Sequence, residues 1–444
     1  MNIGLRQGAG ALKTQRAKRA KGATVTDAQP LTGEVRRWRW RVFSATWLSY
    51  ACYYFARKPF YVVKSTLESE LGWDTEMLGM AGASYLTAYA LGQFLSGWMG
   101  NRWGPRLLVL TGMGVSAGAN LVFGLTNSWA TFVAFMVLNG LAQSTGWCGN
   151  VASMARWTRR DERGTLLGLW ATNFQVGGVA ANGLAAFALG AWGFQWSFFA
   201  GSVVLASAWF YYLFNQRNRP EDLGLEPLER SDDASDEEAR GWSVGWTRQI
   251  WVNVLLVGVF YFFIKFIRYA LWSWSPYLLN RYFGLAEDDA GYLSTVFDLA
   301  GIFGVLSLGI LSDRLFGGRR VGLCFIFICG LAASCVALYL FGGTSPLVFA
   351  ICIGFIGFTL YGPDAIMTSA GAIEVGSPRS AALAAGIING MGAVGSILQE
   401  LILGRVLSGD DMSPMFILLL AASAAAAVLL GLLLIRNRRG LADL

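Results

Sequence analysis

The sequence predicts an all-α polytopic membrane protein, twelve transmembrane helices in two pseudo-symmetric six-helix halves. Three observations carry that expectation. The 444-residue chain is 55% hydrophobic and 14% charged, with a mean hydropathy of +0.46. Apolar runs of about 20 residues, the length that crosses a bilayer, recur along almost all of it. Matching features also stand 211 and 212 residues apart, as Arg57 with Arg268 and Gly97 with Gly309 do, which is the mark of a duplicated unit.

Reading apolar runs against polar breaks places the spans near 41–64, 77–100, 106–125, 129–155, 164–190, 194–215, 249–280, 290–312, 321–341, 345–370, 380–406 and 413–435. The expected domains are a basic tail (1–40), a first half (41–215), an acidic linker (216–248), a second half (249–435) and a short tail (436–444). An even count puts both termini on one side. The tails and the loops after even-numbered spans hold 28 of the 35 Lys and Arg, so the positive-inside rule makes both termini cytoplasmic. The other side has Lys64, Arg281 and Arg405 at loops and span ends. The linker segment "RSDDASDEEAR" is polar and poor in aromatics and reads as a flexible connector.

Composition also excludes. There is no histidine, so imidazole metal sites, Ser-His catalysis and histidine proton relays are out. The six cysteines lie in apolar runs without metal-ligand spacing. No Walker-type glycine loop and no nucleophile constellation is present, which argues against an enzyme and against any cofactor. The basic tail has no apolar core of signal-peptide type. Directly before a membrane span it reads as a lipid-facing arm, not a nucleic-acid binder. A monomer in the lipid bilayer is the expected state.

Four cations remain inside spans, namely Arg57, Lys58, Lys265 and Arg268. Each costs about 2.5–3.5 kcal/mol at the bilayer centre on insertion scales and therefore needs a partner or a wet cavity. Arg57 and Arg268 are repeat mates, and a guanidinium matches phosphate oxygens in bidentate fashion. Tyr50, Tyr53 and Tyr54 precede Arg57 at helical spacing, and Lys265 stands three before Arg268. Lys58 lies about 100° round the helix, free to snorkel or pair elsewhere. Gln93 after Tyr85 and Tyr89, and Asn173, are further cavity candidates. The acids within spans are Asp298, Asp364 and Glu400, read either as structural neutralisers of the cations or, for Asp298 and Asp364, as a proton carrier or the partner of Lys265.

The stretch "GWMGNRWGPR" (97–106) and its echo "GILSDRLFGGRR" (309–320) resemble the loop motif of the major facilitator superfamily. Within it, "YACYYFARK", "GWCGNVASMARWTRRDERG", "RYALWSWSP", "FDLAGIFG" and "YGPD" resemble the organophosphate:phosphate antiporters, the group of glycerol-3-phosphate, hexose-phosphate and glucose-6-phosphate transporters. The resemblance spans about residues 45–410. It implies a rocker-switch exchanger of a phosphorylated metabolite for inorganic phosphate. It also implies that Arg57 and Arg268 bind phosphate, that Tyr50 and Tyr54 line the cavity, and that Asp298 stands at the family's eighth-helix carboxylate. Arg102 and Asp313 of the loop motif join Asp298 as coupling or gating candidates.

The chain departs from that pattern at Gln93, Phe174, Lys265, Cys148, Gly149 and Asn101. Positive charge is thereby rearranged rather than lost, since Lys265 is gained where a lysine at position 93 is missing. Asp364 beside Pro363 is a conceivable seat for a substrate amine. If both arginines stand unneutralised without an anion, closing is disfavoured and exchange is obligatory. The rival readings are a proton-coupled organic-anion symporter using Asp298 or Asp364, and a non-transporting phosphometabolite sensor. A bacterial inner membrane is the expected location.

Overall fold

The computed structural model describes residues 33–159, 166, 169–228, 247–315, 320–368, 381–409, 411–439 and 441. Most of the basic tail, the acidic stretch of the linker, much of the C-terminal tail and the motif segments 160–165 and 316–319 lie outside the described residues. By its internal contacts the chain forms two units, residues 1–40 and 41–444. Of the first, residues 33–40 are the opening turns of a helix. The second holds the helical bundle.

The first expected span is four pieces: α1 (Gly33–Tyr53), a 3-10 turn (Tyr54–Ala56), α2 (Lys58–Val62) and α3 (Lys64–Leu71). The first half continues with α4 (Thr75–Trp103), α5 (Pro105–Leu125), α6 (Trp129–Arg156), α7 (Asn173–Trp192) and α8 (Phe194–Asn215). The second half is α9 (Arg248–Phe283), α10 (Glu287–Leu315), α11 (Arg320–Phe341), α12 (Pro346–Thr368), α13 (Ala381–Val406) and α14 (Ser413–Arg438). No strand occurs among the described residues. Nine of the described helices, α5 and α7 to α14, are long and apolar enough to cross a membrane. The other three of the twelve expected spans are the broken first one, α4, and α6 with its buried Asn139, Gln143 and Asn150.

Packing follows the duplication. In the first half α4 lies on α6 and α5 on α8; in the second α10 lies on α12 and α11 on α14. Between halves α4 meets α13, and α7 meets α10. The same turn is built twice: Gly72 and Gly284, 212 residues apart, take φ of 69° and 65°. Each closes its helix with paired bonds back into the last turn, Gly72 N to Glu68 O and Trp73 N to Leu67 O, then Gly284 N to Asn280 O and Leu285 N to Leu279 O. Only glycine adopts that backbone at little cost, so the two glycines are repeat mates for a stated reason.

A second glycine pair sets how closely the halves approach. A Cβ on Gly79 of α4 would lie 2.5 Å from the Glu400 carbonyl oxygen of α13, and one on Gly291 of α10 would lie 2.7 Å from Ala186 Cβ of α7. Residues 79 and 291 are again 212 apart. Bare backbone at these positions lets helices of opposite halves touch.

The interruption of the first span corrects the expectation of one continuous helix, and proline explains it. Pro59 cannot donate to the Phe55 carbonyl and its ring crowds that oxygen, so the helix fails just before it. Arg57 falls at the break, with φ −121° and ψ −47°. The released carbonyls are taken up by amides: Gln143 Nε2 donates to Tyr53 O at 3.1 Å, and Asn120 and Asn139 both donate to Ala56 O at 3.0 Å. Irregular backbone at this depth persists because neighbouring side chains satisfy it.

The start of the linker, directly after α8, is held by local structure. Residues 220–223 form a 3-10 turn, Asn218 accepts from the Arg106 backbone N–H at 2.9 Å, and Trp157 donates to Arg217 O at 3.0 Å. The start of the segment read as flexible is therefore packed on α5 and α6.

Replacing Gly79 by valine should lower stability by about 1–3 kcal/mol, the usual cost of overpacking. Gly118→Ala, where an added Cβ meets nothing within 4 Å, should leave stability unchanged or slightly raised. Thermal transitions of the purified protein in detergent check both.

Candidate functional site

The helical break turns Arg57 into the bundle rather than along it. Its Nε donates to Gln143 Oε1 at 2.9 Å, and the Tyr85 hydroxyl donates to the same oxygen at 3.0 Å. Three rings surround the guanidinium, with centroids 4.9 Å (Tyr54), 5.0 Å (Tyr89) and 5.7 Å (Tyr85) away. Arg57 is 8% exposed, and its Nη2 has no hydrogen-bond partner in the protein. Cation–π contact offsets part of the burial, but no carboxylate balances this charge at ion-pair distance among the described residues.

Arg268, on the unbroken α9, is held differently. Nη1 lies 2.5 Å from Asp364 Oδ2 of α12. The guanidinium stacks 4.5 Å from the Tyr361 ring and 5.8 Å from Phe174 of the opposite half. Tyr261 also lies close to Asp364. The charge of Arg268 is therefore matched within its own half, which overturns the premise of two unneutralised arginines.

The two arginines lie near one group of tyrosines. Tyr54 and Tyr269 are each within electrostatic reach of both guanidiniums. Lys265 is half-buried between the Tyr261 and Tyr269 rings, its Nζ 5.1 and 5.3 Å from their centroids. It pairs with neither Asp298 nor Asp364, contrary to one expectation.

Asp298 takes Lys58 instead. The distance is 3.2 Å, Tyr361 donates to the other carboxylate oxygen at 2.5 Å, and Lys58 Nζ sits 3.9 Å over the Trp272 ring. Lys58 is 3% exposed, so snorkelling is excluded. It joins the first half to the second.

The remaining candidates divide. Tyr50 is buried against Trp147 and Trp170. Tyr53 leaves the expected face, bonding to Thr145 at 2.8 Å and to Val109 O. Gln93 accepts from Cys148 Sγ at 2.9 Å, one turn beyond Tyr89. Asn173 is fully buried, and neither its amide nitrogen nor its oxygen has a partner in the protein. Arg102 is exposed with its guanidinium 5.8 Å from the Trp98 ring. Asp313 lies on α10, and its side chain is outside the described residues.

Glu400, read from the sequence as a structural neutraliser, meets a cation that the sequence placed elsewhere. Lys64, expected at a span end facing water, is fully buried, 3.0 Å from an equally buried Glu400 and 3.4 Å over the Trp274 ring. Ser273 bonds to both partners. Glu400 fits because Gly82 is bare: a Cβ there would come within 2.8 Å of the carboxyl carbon. The available signal was Glu400 itself, an acid deep in an apolar run with no cation assigned to it. At the same end Thr66 bonds to Glu287 at 2.5 Å, Asn182 to Gly291 O at 2.7 Å and Arg405 to Glu76 at 3.0 Å, all between halves.

Two helical halves that meet through aromatic rings and through ion pairs running from one to the other have the build of a membrane carrier. The sequence pattern of the Major Facilitator Superfamily matches residues 46–399 and 259–443, and the chain belongs to that family. It is 27% identical over 401 residues to the "Probable hexose phosphate transport protein" of Chlamydia pneumoniae, covering 86% of this chain and 88% of that one. It is 28% identical over 415 residues to a glycerol-3-phosphate transporter of Bacillus subtilis, with 88% and 91% covered. A glucose-6-phosphate exchanger of Bos taurus is 28% identical over 433 residues, with 81% and 87% covered. These relatives are transporters, not enzymes. Among solved structures, a bacterial homologue of the human lysosomal transporter Spinster superposes with a TM-score of 0.67 at 15% identity, over 90% of this chain and 95% of that one. A D-xylose-proton symporter gives 0.66 at 13%, over 88% and 97%. At such identities the structural likeness speaks for the fold alone.

Glu400→Gln should destabilise the protein by about 3–5 kcal/mol, because it strands a buried ammonium. The paired change Lys64→Met with Glu400→Leu should recover most of that loss. Thermal melts of wild type, Glu400→Gln and the double variant give the comparison.

Proposed function

We propose that this protein is a secondary active transporter that exchanges a phosphorylated or phosphonate organic anion for inorganic phosphate by rocker-switch alternating access. The observation that carries the reading is the pair Arg57 and Arg268, repeat mates from opposite halves that both lie near Tyr54 and Tyr269. Arg57 keeps a buried, unpartnered Nη2, and a phosphate oxygen is the acceptor that a guanidinium fork fits best. Lys265 adds a third cation on the second-half wall. The relatives' names, each a phosphate-ester carrier, support the substrate class.

In this mechanism an anion enters between the first half (41–215) and the second (249–435) and engages Arg57. Its remaining oxygens draw Arg268, so both halves are attracted to one ligand and closure over it is favoured. Lys58 with Asp298, a pair that crosses the halves, loosens and re-forms as they rock. Tyr50, Tyr54, Gln93 and Asn173 line the path, Asp364 answers Arg268, and Arg102 and Asp313 steady the loops at the far end. The protein works as a monomer in a bacterial inner membrane, with both termini cytoplasmic.

Counterflow tests this. Proteoliposomes loaded with phosphate should take up labelled phosphate and, in a screen, sugar phosphates, glycerol phosphates or aminophosphonates. Arg57→Ala and Arg268→Ala should each slow exchange more than about tenfold, the effect of losing a charge-assisted hydrogen bond of about 1.5–3 kcal/mol. Normal exchange in both variants would sink the proposal.

A further inference from the structure

An exchanger is obligatory only if its chamber cannot close and turn without an anion. The usual reason is an arginine pair that repels itself and has nothing to neutralise it when the halves shut. Here the second arginine carries its own anion. We infer that Asp364 acts as a surrogate ligand for Arg268, so that the carrier also returns empty and supports net, one-way movement of its anion besides exchange. The inference rests on the reading of Arg57 and Arg268 as anion ligands.

Three features suit Asp364 to that part. Its carboxylate is 2.5 Å from Arg268 Nη1, the distance of a charge-assisted hydrogen bond, so it occupies a donor that a substrate oxygen would use. It is itself 5% exposed, and Tyr261 lies close to it. Both partners ride on the second half, Arg268 on α9 and Asp364 on α12, and these helices pack on each other. A pair within one half survives rocking in either direction, whereas Lys58 with Asp298 spans the halves and has to adjust.

These pairs set the charge balance of the closed chamber. Asp298 offsets Lys58 and Asp364 offsets Arg268. Among the described residues Arg57 has no carboxylate at ion-pair distance but is shielded by Gln143 and three tyrosine rings. Lys265, half-buried between two tyrosine rings, has none either. Closing without ligand therefore leaves one arginine, not two, without a carboxylate, and the empty closed state gains population accordingly.

The test uses the full-length protein in liposomes loaded with labelled inorganic phosphate, with potassium and valinomycin holding the membrane potential at zero. Efflux is measured into medium containing phosphate and into medium free of permeant anion, and the ratio of the two rates is the readout. Wild type should release phosphate in both. In Asp364→Asn the ratio of net release to exchange should fall at least about tenfold, and Asp364→Glu, which keeps the carboxylate, should hold the wild-type ratio. Wild-type exchange without net release overturns the inference, as does an Asn variant with an unchanged ratio or one that is folded yet loses exchange entirely. If Asp364→Asn does not fold, Asp364→Glu decides, because loss of net release with the carboxylate present contradicts the surrogate role. Absence of phosphate exchange in wild type would instead undo the transport reading on which this rests.

Discussion

Charge at membrane depth is the constraint around which this structure is arranged. Five cations, Arg57, Lys58, Lys64, Lys265 and Arg268, lie within the helical bundle, and hydrocarbon offers none of them a counterion. The protein answers each by different means: an ion pair across the halves for Lys58, one within a half for Arg268, and a fully dry pair for Lys64. Lys265 has aromatic walls and partial exposure, and Arg57 has an amide and a ring cage. This graded treatment separates structure from function. The driest pair, Lys64 with Glu400, belongs to the contact between halves, and Arg57, the arginine with no carboxylate at ion-pair distance among the described residues, is the one proposed for the ligand.

The broken first span is what makes that gradation possible. A continuous helix would stack Arg57, Lys58 and Lys64 along one rod with fixed 100° steps. Pro59 interrupts the rod, and the short helix α2 sets off in a new register, so Arg57 faces Gln143 and Tyr85 while Lys58 faces Asp298 and Trp272. Adjacent residues thus reach different partners. The amides of Asn120, Asn139 and Gln143, which hydropathy would count against a membrane span, meet the backbone oxygens released by the break.

Much of the fold was legible because its cause is local. Apolar length is a property of each segment, and most of the expected boundaries needed no partner to be seen, since loop chemistry marks them. The repeat offset identified Arg57 with Arg268 for the same reason. Partnership was not legible. Asp298 and Asp364 were both visible as membrane acids, but which cation each meets depends on helix rotation and on contacts between segments far apart in the chain. Lys64 was missed because it sits at the edge of an apolar run, where a water-facing cation and a buried one read alike. Pro59 was in plain view, and its consequence for the backbone follows from ring geometry alone.

Distance along the chain between Arg57 and Lys64 is only seven residues, most of it the short helix α2. Arg57 and the dry pair between the halves thus stand at either end of that helix, with a bend at Val63 before Lys64. On the reading of Arg57 as a ligand group, a pull on it reaches the ammonium that Glu400 holds through one short helix and one bend, and lengthening or softening that segment would uncouple grip from release without touching either charge.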